Sequence, residues 1–177
     1  QEGGTQALLK IRQVPKSPSV LQLMRDINIL KGVIASSYQV NALTKLIKQQ
    51  KDKTDEAMAA RLVMVAGLKR SGVTRIKEEL RLPNKMIAQM LEILSAIKML
   101  DVVSDHSVKL SLYRHGIDLT RQALLIKGAP AKFMKLEAVP VFPVTGKMLL
   151  KEGFTAGPAM GRELKRREAA WIKAGLI

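Results

Sequence analysis

The chain has 177 residues with 30 Lys+Arg against 15 Asp+Glu, a formal net charge of +15 and a pI near 10.3. That length allows one compact domain or two small ones, and an apolar fraction of 47% can build a core, so the composition does not read as disordered. The absence of cysteine removes a disulfide framework, a thiolate zinc site and a cysteine nucleophile, and two histidines, His106 and His115, are too few for a His-rich metal centre. No apolar run approaches a membrane span. The first residues, Gln1-Glu2-Gly3-Gly4, are not a signal peptide and read as a chain entered partway through. Such a basic balance points to a polyanion, nucleic acid before membrane surface. Aromatics are scarce: Tyr38, Tyr113, Phe133, Phe142, Phe154 and Trp171. Single-strand binders stack bases on several aromatic platforms, so phosphate contact with a folded RNA fits this composition better.

In chain order, apolar residues recur at helical spacing nearly everywhere. Residues 5–12 look like the end of a helix. Ser17-Pro18-Ser19 starts a second, with Leu21, Met24, Ile27 and Leu30 on one face and a stop near Gly32. Residues 38–50 repeat the pattern through Val40, Leu43, Leu46 and Ile47. Thr54-Asp55-Glu56 supplies a cap and an acidic first turn for a helix running to Gly67. Lys69-Arg70-Ser71-Gly72 reads as a basic break before a short helix over 73–81, and Pro83 starts the next, with Met86, Met90, Leu91, Leu94, Ile97 and Leu100 apolar. Residues 101–108 read as a polar turn or short extended piece, and helical periodicity runs over 110–127 around Gly116 until Gly128-Ala129-Pro130. The stretch from Pro140 to Val144 is extended, since residues before proline avoid the helical region. Two last helices follow over 145–152 and 157–174. The sum is an all-α, irregular array of about nine helices, ending in a helix pair joined by a Gly/Pro turn.

No motif for catalysis emerges. No Asp-x-Asp suits a two-metal phosphoryl-transfer site. Asp55-Glu56 suits a helix N-terminus, Glu78 and Glu79 suit solvated ion pairs, and Asp101 and Asp105 flank a turn. The stretch ending at Lys147 lacks the glycine spacing of a phosphate loop, since residue 141 is Val and residue 148 is Met. His115 suits a helix end, with a phosphate contact as the sharper alternative. Residues 73–100 resemble a helix-turn-helix DNA-reading unit, in which Arg81, Asn84, Lys85 and Gln89 are the candidate base readers. A plain helical hairpin is the competing reading.

The most distinctive segment is 140–176. Gly146 sits at a turn that a side chain would crowd, Gly157 and Pro158 start the last helix, and Gly161 permits close backbone approach one turn inside it. The amides at the start of this helix offer an anion site. Arg162, Lys165 and Arg166 follow on neighbouring turns, Lys147 and Lys151 lie on the preceding helix, and Leu164 and Trp171 face the core. A solvated basic face is the bland alternative.

The segment resembles the C-terminal region of bacterial-type class II tRNA nucleotidyltransferases, the CCA-adding enzymes, and related poly(A) polymerases. The resemblance rests on Phe142, Pro143, Gly146, Gly153, Gly157, Pro158, Gly161, Leu164, Trp171, Ile172 and Gly175. Looser matches lie upstream in the right order. Residues 19–34 resemble the family's neck, with Asn28 for its Gly and Ala35 for its Pro. Residues 78–91 resemble an L-R-L-S-N-x-E stretch, with Pro83 for Ser and Met86 for Glu. Residues 112–129 resemble Y-x-x-G-x-x-x-x-x-D-x-L-L-L, with Gln122 for Asp. The resemblance implies a neck remnant over 1–35, a helical body over 36–128 and a tail over 129–177. The family's catalytic head, with its Asp-x-Asp, has no counterpart here. By this reading the chain alone adds no nucleotides, binds no metal or other cofactor, and takes no small-molecule substrate; magnesium and nucleotide belong to the head.

Two readings stay open. In one the chain is the tRNA-gripping part of a nucleotidyltransferase; in the other it is a headless structural RNA-binding subunit of a ribonucleoprotein such as a mitochondrial ribosome. Both expect a structured RNA partner, tRNA or rRNA, no membrane, and an intracellular setting, cytoplasmic or mitochondrial. Both expect phosphate contacts from Lys147, Lys151, Arg162, Lys165 and Arg166 in the tail, with Lys69, Arg70, Arg114 and Arg121 in the body.

Overall fold

The computed structural model describes residues 37–50, 54–80 and 82–177. Among them are α1 (Ser37–Gln49), α2 (Asp55–Val65), α3 (Arg70–Leu80), α4 (Asn84–Met99), α5 (Asp105–Lys127), a 3₁₀ turn (Ala131–Met134), α6 (Gly146–Lys151) and α7 (Pro158–Lys173). The class is all-α. The described residues hold seven α-helices rather than nine; the two expected over 5–12 and 17–32 lie outside them. None of the seven is long and apolar enough to cross a membrane.

Helix α2 is the centre of the body because of its composition. Thr54 caps it, its hydroxyl accepting from the Ala57 N–H at 3.2 Å, and Asp55 and Glu56 occupy the positive end of the helix dipole. Beyond that turn every residue from Ala57 to Val65 is buried. A helix apolar on all sides must be wrapped by others, and α2 packs against α1, α3, α4 and α5. Ala59 and Ala60, both fully buried, let those neighbours come close. Leu43 and Leu46 of α1, Leu62 and Val63 of α2, Val73 and Ile76 of α3, and Met90 and Ile93 of α4 complete one cluster. A second joins Ala96 and Leu100 to Val108, Leu112, Ala123 and Leu124 of α5. Arg61, the one buried arginine among the described residues, donates from Nε to Gln50 Oε1 at 2.7 Å, and Gln50 Nε2 donates to Gln122 Oε1 at 2.7 Å and to the Ala57 carbonyl at 3.1 Å. This polar chain ties the end of α1 to α2 and α5. Burial lowers the Arg61 pKa from its ordinary value.

Two boundaries differ from expectation. The basic stretch 69–72 is not a break: α2 stops earlier, and α3 already starts at Arg70. The stop is a Schellman closure, in which the Leu68 N–H donates to the Val63 carbonyl and the Gly67 N–H to the Met64 carbonyl, each at 3.0 Å. Gly72 therefore lies inside a helix. It faces the end of α2 so closely that a Cβ there would sit 1.9 Å from the Ala66 carbonyl oxygen. Likewise 101–108 is only partly a turn. Ser104 and Ser107 form a reciprocal capping box, with Ser107 N–H to Ser104 Oγ at 3.1 Å and Ser104 N–H to Ser107 Oγ at 2.9 Å, so α5 begins at Asp105.

Helix α5 is two arms. Gly116 has φ 78° and ψ −179°, far outside the helical region and open to glycine alone. The hydroxyls of Ser111 and Thr120, both fully buried, lie 2.9 Å apart across this point. A straight helix would separate nine residues by about 13.5 Å along its axis, so the second arm folds back against the first. Gly116→Ala is expected to cost about 1–3 kcal/mol of stability, measured by urea unfolding. Gly72→Ala, which must push α3 off a backbone oxygen, is expected to lower the midpoint as well. An unchanged midpoint in both would mean that these two turns are not constrained as described.

Candidate nucleic-acid interface

The tail is built from short local signals. None of the backbone N–H groups over 137–144 donates to a backbone carbonyl among the described residues, as suits an extended run containing Pro140 and Pro143. Thr145 then caps α6, its hydroxyl accepting from the Met148 N–H at 3.3 Å. Leu149 is the one fully buried residue of α6. After the turn, Gly157 is the N-cap of α7 and Pro158 its first residue, where a missing N–H costs nothing. Neither tail glycine is held by crowding, contrary to expectation. A Cβ on Gly146 would make only ordinary contact with Met160, 3.7 Å away, and one on Gly161 would meet nothing within 4 Å.

An aromatic seam seats α7 on the first arm of α5. Trp171 meets Tyr113 edge-on at 5.1 Å between centroids and Phe142 at 5.4 Å, and its Nε1–H donates to the Ile177 carbonyl at 2.8 Å. Tyr113 donates its hydroxyl to Glu168 at 2.9 Å, and Arg114 pairs with the same carboxylate at 3.1 Å. Burial, then the hydrogen bond to Glu168, raises the Tyr113 pKa. Leu164 and Trp171 do turn inward, but α7 has no fully buried residue; it lies on the surface of the fold.

The charges of α7 are sorted by face. Its two acids, Glu163 and Glu168, point inward and are both engaged. Arg167 bridges the helix pair: Nη1 donates to Glu152 Oε1 at 3.0 Å and Nε to Glu163 Oε1 at 2.8 Å. Glu163 also accepts from Arg166, and these two guanidinium groups hold its carboxyl down at about 2. The outer face carries Arg162, Lys165, Arg166 and Lys173 with only Ala169 and Ala170 between them, all exposed. Over the eleven steps from Arg162 to Lys173 the stripe runs about 16 Å at a helical rise of about 1.5 Å per residue. On α6, Lys147 and Lys151 lie one turn apart, both exposed.

Of the nine residues expected to meet phosphate, six have no acidic partner among the described residues: Lys147, Lys151, Arg162, Lys165, Lys69 and Arg70. Three do. Arg166 pairs with Glu163, Arg114 with Glu168, and Arg121 with Asp118 at 3.1 Å. Lys69 and Arg70 stand at the start of α3, and Arg114 and Arg121 lie one on each arm of α5. Lys173 completes the outer stripe and was not singled out, although its spacing from Arg162 and Arg166 places it on their face. Arg167, also passed over, is the residue that clamps the two tail helices.

Of the four candidate base readers of the helix-turn-helix alternative, two are engaged and Asn84 is exposed. Lys85 pairs with Asp55 at 3.0 Å and Gln89 Nε2 donates to Glu56 at 2.8 Å, and α4 is a core helix packed on α2, α3 and α5. Arg81 lies outside the described residues. His115 ends the first arm of α5 with its side chain 5% exposed and Nδ1 against Glu92 of α4, away from any surface phosphate. The described residues contain no group of three or more His, Asp or Glu that could hold a metal ion.

Comparison of the chain with family models, with curated proteins and with solved structures gives no match in any of the three.

The clamp predicts an acid transition. The unfolded chain protonates Glu163 near 4.5, the folded tail only near 2. Its contribution is therefore complete above the higher value and is lost as pH falls through the interval between them. The emission of Trp171, the single tryptophan, should shift across that interval. In Glu163→Gln the shift should be smaller and the tail already loosened at neutral pH. Identical profiles in the two proteins would take the clamp out of the account.

Proposed function

We propose that the chain binds structured RNA by its C-terminal helix pair, through phosphate contacts from the outer face of α7 and from α6. The observation that carries this reading is the sorting of charge across α7: both acids are engaged by basic side chains, and Arg162, Lys165 and Lys173 stand outward in one stripe beside Arg166, which is held by Glu163. A solubilising surface mixes its signs, whereas a stripe of one sign raises the local concentration of a polyanion. The aromatics support a duplex-like rather than a single-stranded target. Tyr113, Phe142 and Trp171 pack on one another, Phe133 lies under Lys132, and Arg167 reaches over Phe154, which leaves no bare ring for base stacking among these five. The resemblance of the tail sequence to tRNA nucleotidyltransferase tails makes tRNA the first RNA to test.

Affinity for a tRNA, followed by fluorescence anisotropy across a salt series, should fall steeply with salt. In Lys147→Gln/Arg162→Gln/Lys165→Gln the slope of log K against log[salt] should become shallower by about 0.9 for each duplex-like phosphate contact removed. Arg121→Gln, whose guanidinium is held by Asp118, should leave it nearly unchanged. A slope that the triple variant does not alter removes the tail from the proposal, provided that helical content is intact.

A further inference from the structure

Away from the tail, an open cleft of about 640 Å³ lies where the start of α3 meets the last turns of α4 and α5. Each of the three helices contributes one cation, Arg70, Lys98 and Lys127. Lys127 is shared with Asp101 at 3.8 Å, while Arg70 and Lys98 have no acidic partner among the described residues. Two carboxylates line the same cleft, Asp101 and Glu92, and Glu92 uses only Oε2 on His115. The remaining lining is Leu91, Leu94 and Ile97 of α4 and Leu68, with Ser95 the one neutral polar residue among them.

Leu68 is the unexpected member. It has φ 57° and stands 43% exposed in the Schellman turn, where glycine would close the same two hydrogen bonds without a side chain to strain. Its side chain is part of the lining of the cleft.

The three kinds of group together select a ligand. Convergent cations call for an anionic group, free carboxylate oxygens for hydrogen-bond donors, and aliphatic walls for an apolar body. A fatty acid has no donors. An acidic peptide meets the carboxylates with its own charge. Inorganic phosphate leaves the leucines wet. A nucleotide satisfies all three, and the volume is in the usual range of about 300–1,000 Å³ for small-molecule sites. We propose that this cleft binds one unstacked nucleotide, its phosphate between Arg70 and Lys98 and its base against Leu68 and Leu94. A free nucleotide and the terminal nucleotide of an RNA share that chemistry.

The test titrates the full chain with AMP, adenosine and inorganic phosphate by calorimetry. It also titrates one RNA stem-loop with and without a single unpaired 3′ nucleotide. AMP should bind more tightly than adenosine or phosphate alone. Arg70→Gln/Lys98→Gln should weaken AMP about tenfold or more. Leu68→Gly, which keeps the turn, should weaken AMP and leave phosphate unchanged. If the unpaired nucleotide raises RNA affinity in the native chain but not in the double variant, the occupant is an RNA end. If it adds nothing while AMP still binds, the occupant is a free nucleotide. The proposal is overturned if AMP binds no better than phosphate, or if both variants leave AMP affinity unchanged. The tail proposal is judged separately: should the tail triple variant leave stem-loop affinity intact, the tail is removed from the RNA contact and the AMP result still decides the cleft.

Discussion

The bend at Gly116 is the constraint from which the rest of the arrangement follows. Without it α5 would be a straight rod with one arm in solvent. With it, the second arm returns to the core, Thr120 meets Ser111, and Gln122 completes the chain of amides that reaches Arg61. The residues just before the bend are distributed at the same stroke. His115 turns toward Glu92 on α4, while Tyr113 and Arg114 are left to receive α7 through Trp171 and Glu168. A single backbone angle thus sets both the closure of the body and the landing place of the tail.

Arginine divides into two populations on this scaffold. Arg61, Arg114 and Arg167 hold structure together, one by neutral hydrogen bonds in the interior and two by carboxylates at the surface of the fold. Forked guanidinium groups suit such bridging better than lysine's point charge. Arg162 and the lysines of α6 and α7 take no part in it. The count of basic residues therefore overstates what a polyanion would meet, since some are spent on internal bridges.

The sequence made the helices legible wherever a cap and a periodic face coincide. Thr54, Pro83, Thr145 and the Gly157-Pro158 pair each stand at the boundary their chemistry implies. It misled where a residue acts against its usual habit. Gly72 looks like a helix breaker and instead serves a contact with Ala66, which depends on a neighbouring helix that local sequence does not contain. Ser107 in place of the usual Glu or Gln hid the capping box of α5. Within the candidate interface, the basic stripe was visible as spacing, but the pairing of Arg166 with Glu163 and of Arg114 with Glu168 was not. The first is one rotamer among several on a helix surface, and the second joins two elements whose docking depends on the aromatic seam. The cleft lined by Arg70, Lys98 and Lys127 was invisible for the same reason, since three helix ends far apart in sequence build it.

The extended run over 137–144 gives the molecule two grades of cohesion. It contributes no backbone hydrogen bonds of its own to the fold among the described residues, so α6 and α7 are joined to the body by side chains at the seam rather than by a shared ladder or a common buried helix. Parting such a seam exposes far less apolar surface than parting α2 from its neighbours, and sub-global openings cost free energy in proportion to what they expose. Amide protons of α6 and α7 should consequently trade with solvent deuterium well before those of α2 and α4. The chain would then keep a slowly exchanging body while its basic helix pair lifts and reseats as a unit.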